Sequence, residues 1–423
     1  MHSDSSRLLD YIENILHHKK SPSYVLLNPG PVITTPRVKA ALVHHDISHR
    51  DEDFSYLVKN IRRKLKQVFQ GDDQHEVVPI TGSGTASLEA AISSAVPADK
   101  KILIIMNGAF GERYLEIAQT HNLNYEVLDF GWAKIIDIEK VREKIESDPQ
   151  ISTVMMAHHE TSVGLLNPVS KIGSICHEND AIFIVDAVAS LGAENIDVVR
   201  DKIDICLSSA NKAIHAIAGV SFACVNNRAW KKMENIKPRV YYLNLKRYRK
   251  YAVEMEQTPF TPAVSSFYAL DAALDELMED GLEKRWEIYR KRNRDIKKAL
   301  TKMGLEFLTS TGQESSTLNI VKVPEFISFK TLYKAMKSFG YIIYNCKDDF
   351  EDKYFQISNM GDLSETTIRE FLNTLNFVLF KAAKAWTNKS SNSVSISPVS
   401  FVDSTTIIRG KAAENQMSLF NEK

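Results

Sequence analysis

Apolar runs of strand length recur along this chain, with helical patterns between most of them, and that alternation constrains its fold more than any other feature. The runs are Val77–Ile80, Ile102–Ile105, Thr153–Met156, Ile182–Val185, Ile203–Leu207 and Val220–Val225. Several read as continuous Val/Ile/Leu segments, the pattern of strands buried on both faces. Strands alternating with helices predict an α/β domain on a largely parallel sheet. Ligands of such sheets collect at the carboxyl ends of the strands. Two runs lead into a charge there. Ile182-Phe-Ile-Val-Asp186 ends on a carboxylate, and the run at 203–207 continues through Ser208-Ser-Ala-Asn to Lys212. Either both charges face solvent, or an acid and an amine converge on one ligand.

Composition narrows the class. With 44% hydrophobic and 25% charged residues, the 423-residue chain has the make-up of a soluble globular protein, and its length predicts about two domains. Its 53 basic residues balance 53 acidic ones, which removes the electrostatic case for nucleic acid or an anionic membrane. The basic cluster Lys246-Arg-Tyr-Arg-Lys250 reads as a solvated surface segment. Cysteines 176, 206, 224 and 346 show no paired spacing. No disulfide framework or metal site is expected, and the cysteine usage fits a reducing, cytoplasmic setting. No secretory leader and no membrane span is expected either.

Residues 1–23 read as a polar arm and 24–263 as the large domain, which opens on the turn-forming Asn28-Pro-Gly-Pro31. Residues 53–70 carry helical periodicity through Phe54, Leu57, Val58, Ile61, Leu65 and Val68. One long helix over about 264–303 is expected to lead into a smaller α+β domain ending near residue 386, with strands at Leu318–Val323, Ile342–Tyr344 and Tyr354–Ile357. The serine-rich remainder, 387–423, reads as a disordered tail.

Thr81-Gly-Ser-Gly-Thr85 follows a strand and opens the helical pattern Ala86–Ala95. Such a turn presents free backbone N–H groups, and the helix dipole favours an anion, so a phosphate is the natural ligand. Neither nucleotide-binding glycine pattern is present. A phosphate cradle, a carboxylate and a lysine in one domain are the three anchors of pyridoxal phosphate. The lysine forms a Schiff base, and the acid holds a protonated ring nitrogen.

The order of motifs resembles the class V branch of fold-type I aminotransferases. Within that branch the likeness is greatest to 2-aminoethylphosphonate–pyruvate transaminases, with alanine–glyoxylate aminotransferases more distant. It runs from about Leu26 to Phe380. It rests on Leu27-Asn-Pro-Gly-Pro31, Gly82-Ser-Gly-Thr85, Asn107-Gly-Ala-Phe-Gly-Glu-Arg113, His158-His-Glu-Thr-Ser-Val-Gly164, Val185-Asp-Ala187, Ser208-Ser-Ala-Asn-Lys212, Gln257-Thr-Pro-Phe-Thr-Pro262 and Phe355-Gln-Ile-Ser-Asn-Met-Gly361. The resemblance implies a mainly parallel, seven-stranded sheet flanked by helices, plus a smaller α+β domain. It implies Lys212 as the Schiff-base and proton-shuttling residue and Asp186 as the partner of the pyridine nitrogen. Ser83, Gly84 and Thr85 then cradle the phosphate, joined by Asn211. Phe110 stacks on the ring, and Thr161 faces its phenolic oxygen. Thr261 reaches the phosphate in the neighbouring copy of a homodimer. Pro29 and Gly30 line the substrate entrance. Histidines 158 and 159 lie near the site, but Lys212 already fills the role of base.

One motif departs from the pattern. Relatives have an arginine that grips the substrate carboxylate where this chain has Gln356. A neutral amide replaces a charged fork, which weakens carboxylate binding. Three explanations follow. The amine substrate lacks a carboxylate, as in 2-aminoethylphosphonate with pyruvate as acceptor; or Arg37, Arg50 or Arg113 holds the carboxylate; or the chain is a lyase or decarboxylase. A catalytically reduced scaffold protein is a further reading. Desulfurase chemistry through Cys346 is disfavoured, because no histidine precedes Lys212 as that branch has it. In the tail, Gln416-Met-Ser-Leu-Phe420 resembles a sliding-clamp docking peptide, or is simply a terminal apolar patch.

Overall fold

The computed structural model describes residues 23–387. The expected arm, apart from Ser23, and the tail from residue 388 with its Gln416–Phe420 peptide lie outside the described residues. In chain order the first elements are β1 (Val25–Leu26), α1 (Pro36–Ala40), α2 (Glu52–Val68), β2 (His75–Thr81), α3 (Gly84–Ala95), β3 (Lys101–Met106), α4 (Ala109–Thr120) and β4 (Asn124–Asp129). Next come α5 (Ile138–Ser147), β5 (Ile151–Ala157), β6 (His159–Glu160), β7 (Leu165–Leu166), α6 (Val169–Glu178), β8 (Ile182–Asp186), β9 (Ile205–Ser209) and β10 (Val220–Asn226). The remainder is α7 (Asn227–Met233), α8 (Leu245–Glu254), α9 (Val264–Asp280), α10 (Leu282–Lys302), β11 (Leu318–Lys322), α11 (Phe329–Ser338), β12 (Tyr341–Ile342), β13 (Tyr344–Asn345), β14 (Tyr354–Ser358) and α12 (Glu365–Thr387).

The expected seven-stranded sheet is present, in the order β2-β10-β9-β8-β5-β3-β4. Only β10 runs against its neighbours, so the carboxyl ends of the other six strands share one edge. The continuous apolar runs have a direct cause. Phe183 and Val185 of β8 enter one core, and Ile182 and Ile184 enter the other, across the sheet. Each such side chain contributes about 1.5–3 kcal/mol on burial. Helix α2 buries the expected stripe of Phe54, Leu57, Val58, Ile61, Leu65 and Val68, and Asp51 caps it by accepting from Glu52 N at 2.8 Å.

The chain forms two compact units whose limits differ from the expected domains. The larger comprises 34–286 with 311–315; of the described residues, the smaller comprises 23–33, 287–310 and 316–387. Residues 24–33 belong to the smaller unit because Val25 and Leu26 pair in parallel with Tyr341 and Ile342, and Leu27 is buried in that core. Helix α9 belongs to the larger unit: Phe267 packs on Phe54 at 5.4 Å, and Asp271 takes a 2.7 Å bond from Lys64. The expected single helix over 264–303 is therefore two. It breaks at Gly281, whose φ of 81° halts α9 before α10 starts.

Two strand readings also shift. The edge strand β4 was not expected, since Asn124-Tyr-Glu-Val-Leu-Asp129 has the mixed polarity of a strand with one neighbour. Strand β9 starts two residues later than its apolar run. Asp204 is held outside it, accepting from Phe183 N at 2.9 Å and from Arg228 at 2.6 Å. The smaller unit has a three-stranded sheet, β11-β14-β13. No described helix is long and apolar enough to cross a membrane.

Candidate active site

Strands β8 and β9 are parallel neighbours, with Asp186 opposite Leu207, and Ala157 of β5 lies opposite Asp186 on the other side. The loops that follow Thr81, Met106, Ala157, Asp186 and Ser209 therefore open at one edge. Between them is a cavity of about 200 Å³. Ser83, Gly84, Thr85, Phe110, Thr161, Asp186, Asn211 and Lys212 all line it. Residues up to 129 positions apart in the chain thus line one cavity.

Asp186 is 5% exposed. Its Oδ2 accepts the Tyr114 hydroxyl at 2.7 Å, and its Oδ1 accepts Val188 N at 2.8 Å. Burial pushes its carboxyl above the usual range, opposed by these hydrogen bonds and by the charges of Arg113 and Lys212. A cation placed against it would restore the ionised form. Burial also pushes the Lys212 amine down to about 8, against the pull of Asp186 and with the push of Arg113. A working fraction of the amine is therefore neutral and nucleophilic near neutral pH.

On the same lining α3 begins at Gly84, with Ser83 in the N-cap position but making no side-chain cap bond. Gly82 precedes it at a φ of 151°, where a side chain is strained. Ser209 Oγ and His159 Nε2, both on the lining, are buried without a partner. Burial holds the His158 and His159 imidazoles neutral, at about 4 and about 3. Orphaned polar atoms, an open helix N-terminus, a desolvated amine and a buried carboxylate together suit a ligand with a phosphate, an aldehyde and a protonated ring nitrogen. The residues present fit pyridoxal phosphate.

The segment at 158–162, which includes β6, holds a group that sequence reasoning missed. Glu160, 1% exposed, accepts from Phe110 N at 3.1 Å, Gly111 N at 3.3 Å, Ser162 N at 3.2 Å and Ser162 Oγ at 2.6 Å. It pins the first turn of α4, and with it Phe110, to the residue beside Thr161. Gly111 is required there, because a Cβ would meet Met106 Cβ at 2.1 Å. Burial outweighs the donors and pushes the Glu160 carboxyl from 4.5 up to about 7. Between those values the folded chain binds a proton that the unfolded chain has released, so Glu160 contributes most stability at low pH and loses it as the pH rises through about 7. The loss is on the order of 3 kcal/mol. In urea unfolding at stepped pH, Glu160→Gln is expected to gain on the wild type by that order between pH 4.5 and 8; parallel curves would contradict it.

Other predicted residues are not among those of this lining. Thr261 is exposed, in the segment that leads into α9. Pro29, Gly30 and Gln356 lie in the smaller unit. There Asn28 Nδ2 donates to Pro31 O at 2.9 Å and shapes the turn. Gln356, 6% exposed on the central strand β14, hydrogen-bonds the Cys346 thiol, which burial pushes up to about 12. Tyr114 was missed because an aromatic one turn after Phe110 reads as core. Glu160 left a detectable signal: a carboxylate between two buried segments needs donors.

The sequence model of the family described as Aminotransferase class-V matches residues 37–327. An uncharacterized aminotransferase of Methanocaldococcus jannaschii is 33% identical over 353 residues, 83% of this chain and 90% of that protein. A 2-aminoethylphosphonate–pyruvate transaminase of Syntrophobacter fumaroxidans is 34% identical over 345 residues, 80% of this chain and 91% of its own. Among solved structures, the ureidoglycine–glyoxylate aminotransferase of Bacillus subtilis superposes with a TM-score of 0.81 at 26% identity, covering 88% of this chain and 99% of that one.

Proposed function

The chain belongs to the class-V aminotransferases, whose cofactor is pyridoxal 5'-phosphate, and on that basis we propose that it transfers the amino group of a small phosphonate- or phosphate-bearing amine to a keto acid. The reference pair is 2-aminoethylphosphonate and pyruvate. The observation that carries this reading is Gln356, a buried, neutral amide engaged with Cys346. It offers the α-carboxylate of an ordinary amino acid no charge, so the amine is read as one without that group, and the anion it does carry needs another holder. The similarity to a protein named 2-aminoethylphosphonate–pyruvate transaminase supports the same choice.

The chain's own residues then divide the work. Lys212 supplies the amine that anchors the cofactor and carries the proton to and from the substrate carbon. Asp186, oriented by Tyr114, holds the ring nitrogen protonated. Ser83, Gly84, Thr85 and Asn211 receive the phosphate at the start of α3. Phe110 covers the ring, and Thr161 takes its phenolic oxygen. Bound there, the cofactor supplies an electron-withdrawing ring for the charge left when a C–H bond breaks.

We further read the working unit as a homodimer in which Thr261 reaches the neighbouring copy's phosphate. Exposed aromatics beside Thr261 support this. Tyr241 is 69% exposed and Tyr242 45%, and Tyr242 stacks on Phe260 at 4.7 Å. Four free, buried thiols support a reducing, cytoplasmic setting.

The function is tested on the cofactor's absorption. Adding 2-aminoethylphosphonate without keto acid is expected to discharge it, and adding pyruvate to restore it. A band that ignores 2-aminoethylphosphonate but responds to alanine would overturn the substrate reading.

A further inference from the structure

With Gln356 in the smaller unit's motif, a substrate anion needs another holder, and three arginines are candidates. The structure separates them. Arg37 is committed at the surface to Glu279 at 2.8 Å and Asp275 at 3.6 Å. Arg50 spends its guanidinium on Gln257 Oε1 at 3.1 Å, Thr258 O at 2.7 Å and Pro259 O at 3.1 Å. Arg113 lines the cavity with Lys212 and Asp186, and among the described residues it meets no carboxylate and no hydrogen-bond acceptor. Its guanidinium lies over the Phe110 ring, 4.7 Å from the centroid.

That placement is informative. An arginine presents five N–H donors in a rigid fork matched to two oxygens. Half-buried in the cavity wall with no acceptor in hydrogen-bond reach among the described residues, the fork is poorly satisfied until a ligand supplies one. Phe110, three residues earlier on α4, faces the same side and holds the guanidinium by a cation–π contact. Glu160 fixes that turn through Phe110 N and Gly111 N. The charge is close enough to act on both Asp186 and Lys212. The donors are therefore anchored at the reacting end of the cavity.

We propose that Arg113 binds the acidic oxygens of the substrate, a phosphonate, phosphate or carboxylate, and so determines specificity in the role that Gln356 does not fill. This rests on the aminotransferase reading above and deepens it by naming the residue that selects an anionic substrate.

The test uses the cofactor-loaded enzyme and two anions that cannot react, ethylphosphonate and propionate, titrated by calorimetry. Arg113→Met is expected to keep its cofactor through gel filtration and to bind at least one of them about 10²-fold more weakly. Arg113→Lys keeps the charge without the fork and is expected to lose about tenfold. The variant's KM for 2-aminoethylphosphonate should rise with it. Unchanged affinity for both anions in Arg113→Met and Arg113→Lys would overturn the assignment. Loss of the cofactor from Arg113→Met would also overturn it, because Arg113 would then serve the cofactor's phosphate. A wild-type cofactor band that responds to no amine and keto acid pair would mark failure of the aminotransferase reading instead. A responding band with unchanged anion affinity would sink only the role of Arg113.

Discussion

Lys212→Ala is expected to remove the long-wavelength absorption of the bound cofactor and to lower turnover by about 10⁴-fold or more. Two roles disappear together. The amine that anchors the cofactor is lost, and so is the positioned proton carrier, a role that alone contributes about 10²–10⁴-fold. The fold should tolerate the change. Lys212 is desolvated and its amine is pushed down to about 8, so removing it relieves a buried, partly charged group and should leave the thermal midpoint level or slightly raised. Absorbance, steady-state turnover and melting temperature check the three parts separately. Retained turnover with an unchanged spectrum would remove Lys212 from the chemistry.

Asp186→Asn is expected to lower kcat by about 10³-fold while most of the site's shape is kept. The asparagine oxygen keeps the Val188 amide, which Asp186 takes at 2.8 Å, while its NH2 turns to the Tyr114 hydroxyl, which can accept in place of donating. What the asparagine lacks is the charge that keeps a ring nitrogen protonated. A second effect follows from the same loss. Asp186 raises the Lys212 amine against burial, so in the variant that amine should titrate below about 8. The pH dependence of Lys212 modification in the cofactor-free protein reads this directly. A residue of merely structural importance would lower stability without moving that titration, and an unmoved value would contradict the electrostatic role.

Much of this site was legible in the chain. The apolar runs at 182–185 and 203–207 announce buried strands, and the charges beyond them lie at the ligand-binding edge because the strands are parallel neighbours. The turn at 82–85 announces an open helix N-terminus, which the structure places on the same cavity. Features depending on partners distant in sequence were not legible. Strand β1 has two residues and exists through its pairing with β12. Strand β4 carries an edge's mixed polarity, and Glu160 is explained by the α4 amides it faces. Arg113 was one candidate among three until its neighbours were known.

The sequence by itself determined the layered α/β architecture and Asp186 and Lys212 as the acid and the amine that follow two of its buried strands. These rest on local pattern and on residue chemistry, which each stretch carries alone. Only the tertiary structure decided that the charges at two strand ends share a cavity, that Tyr114 and Val188 orient Asp186, that burial brings Lys212 down to about 8, and that Arg113, of the three candidate arginines, has no acceptor among the described residues. Distance, burial and partner count are properties of strands brought together across the fold, and they set the acidity and availability of each group.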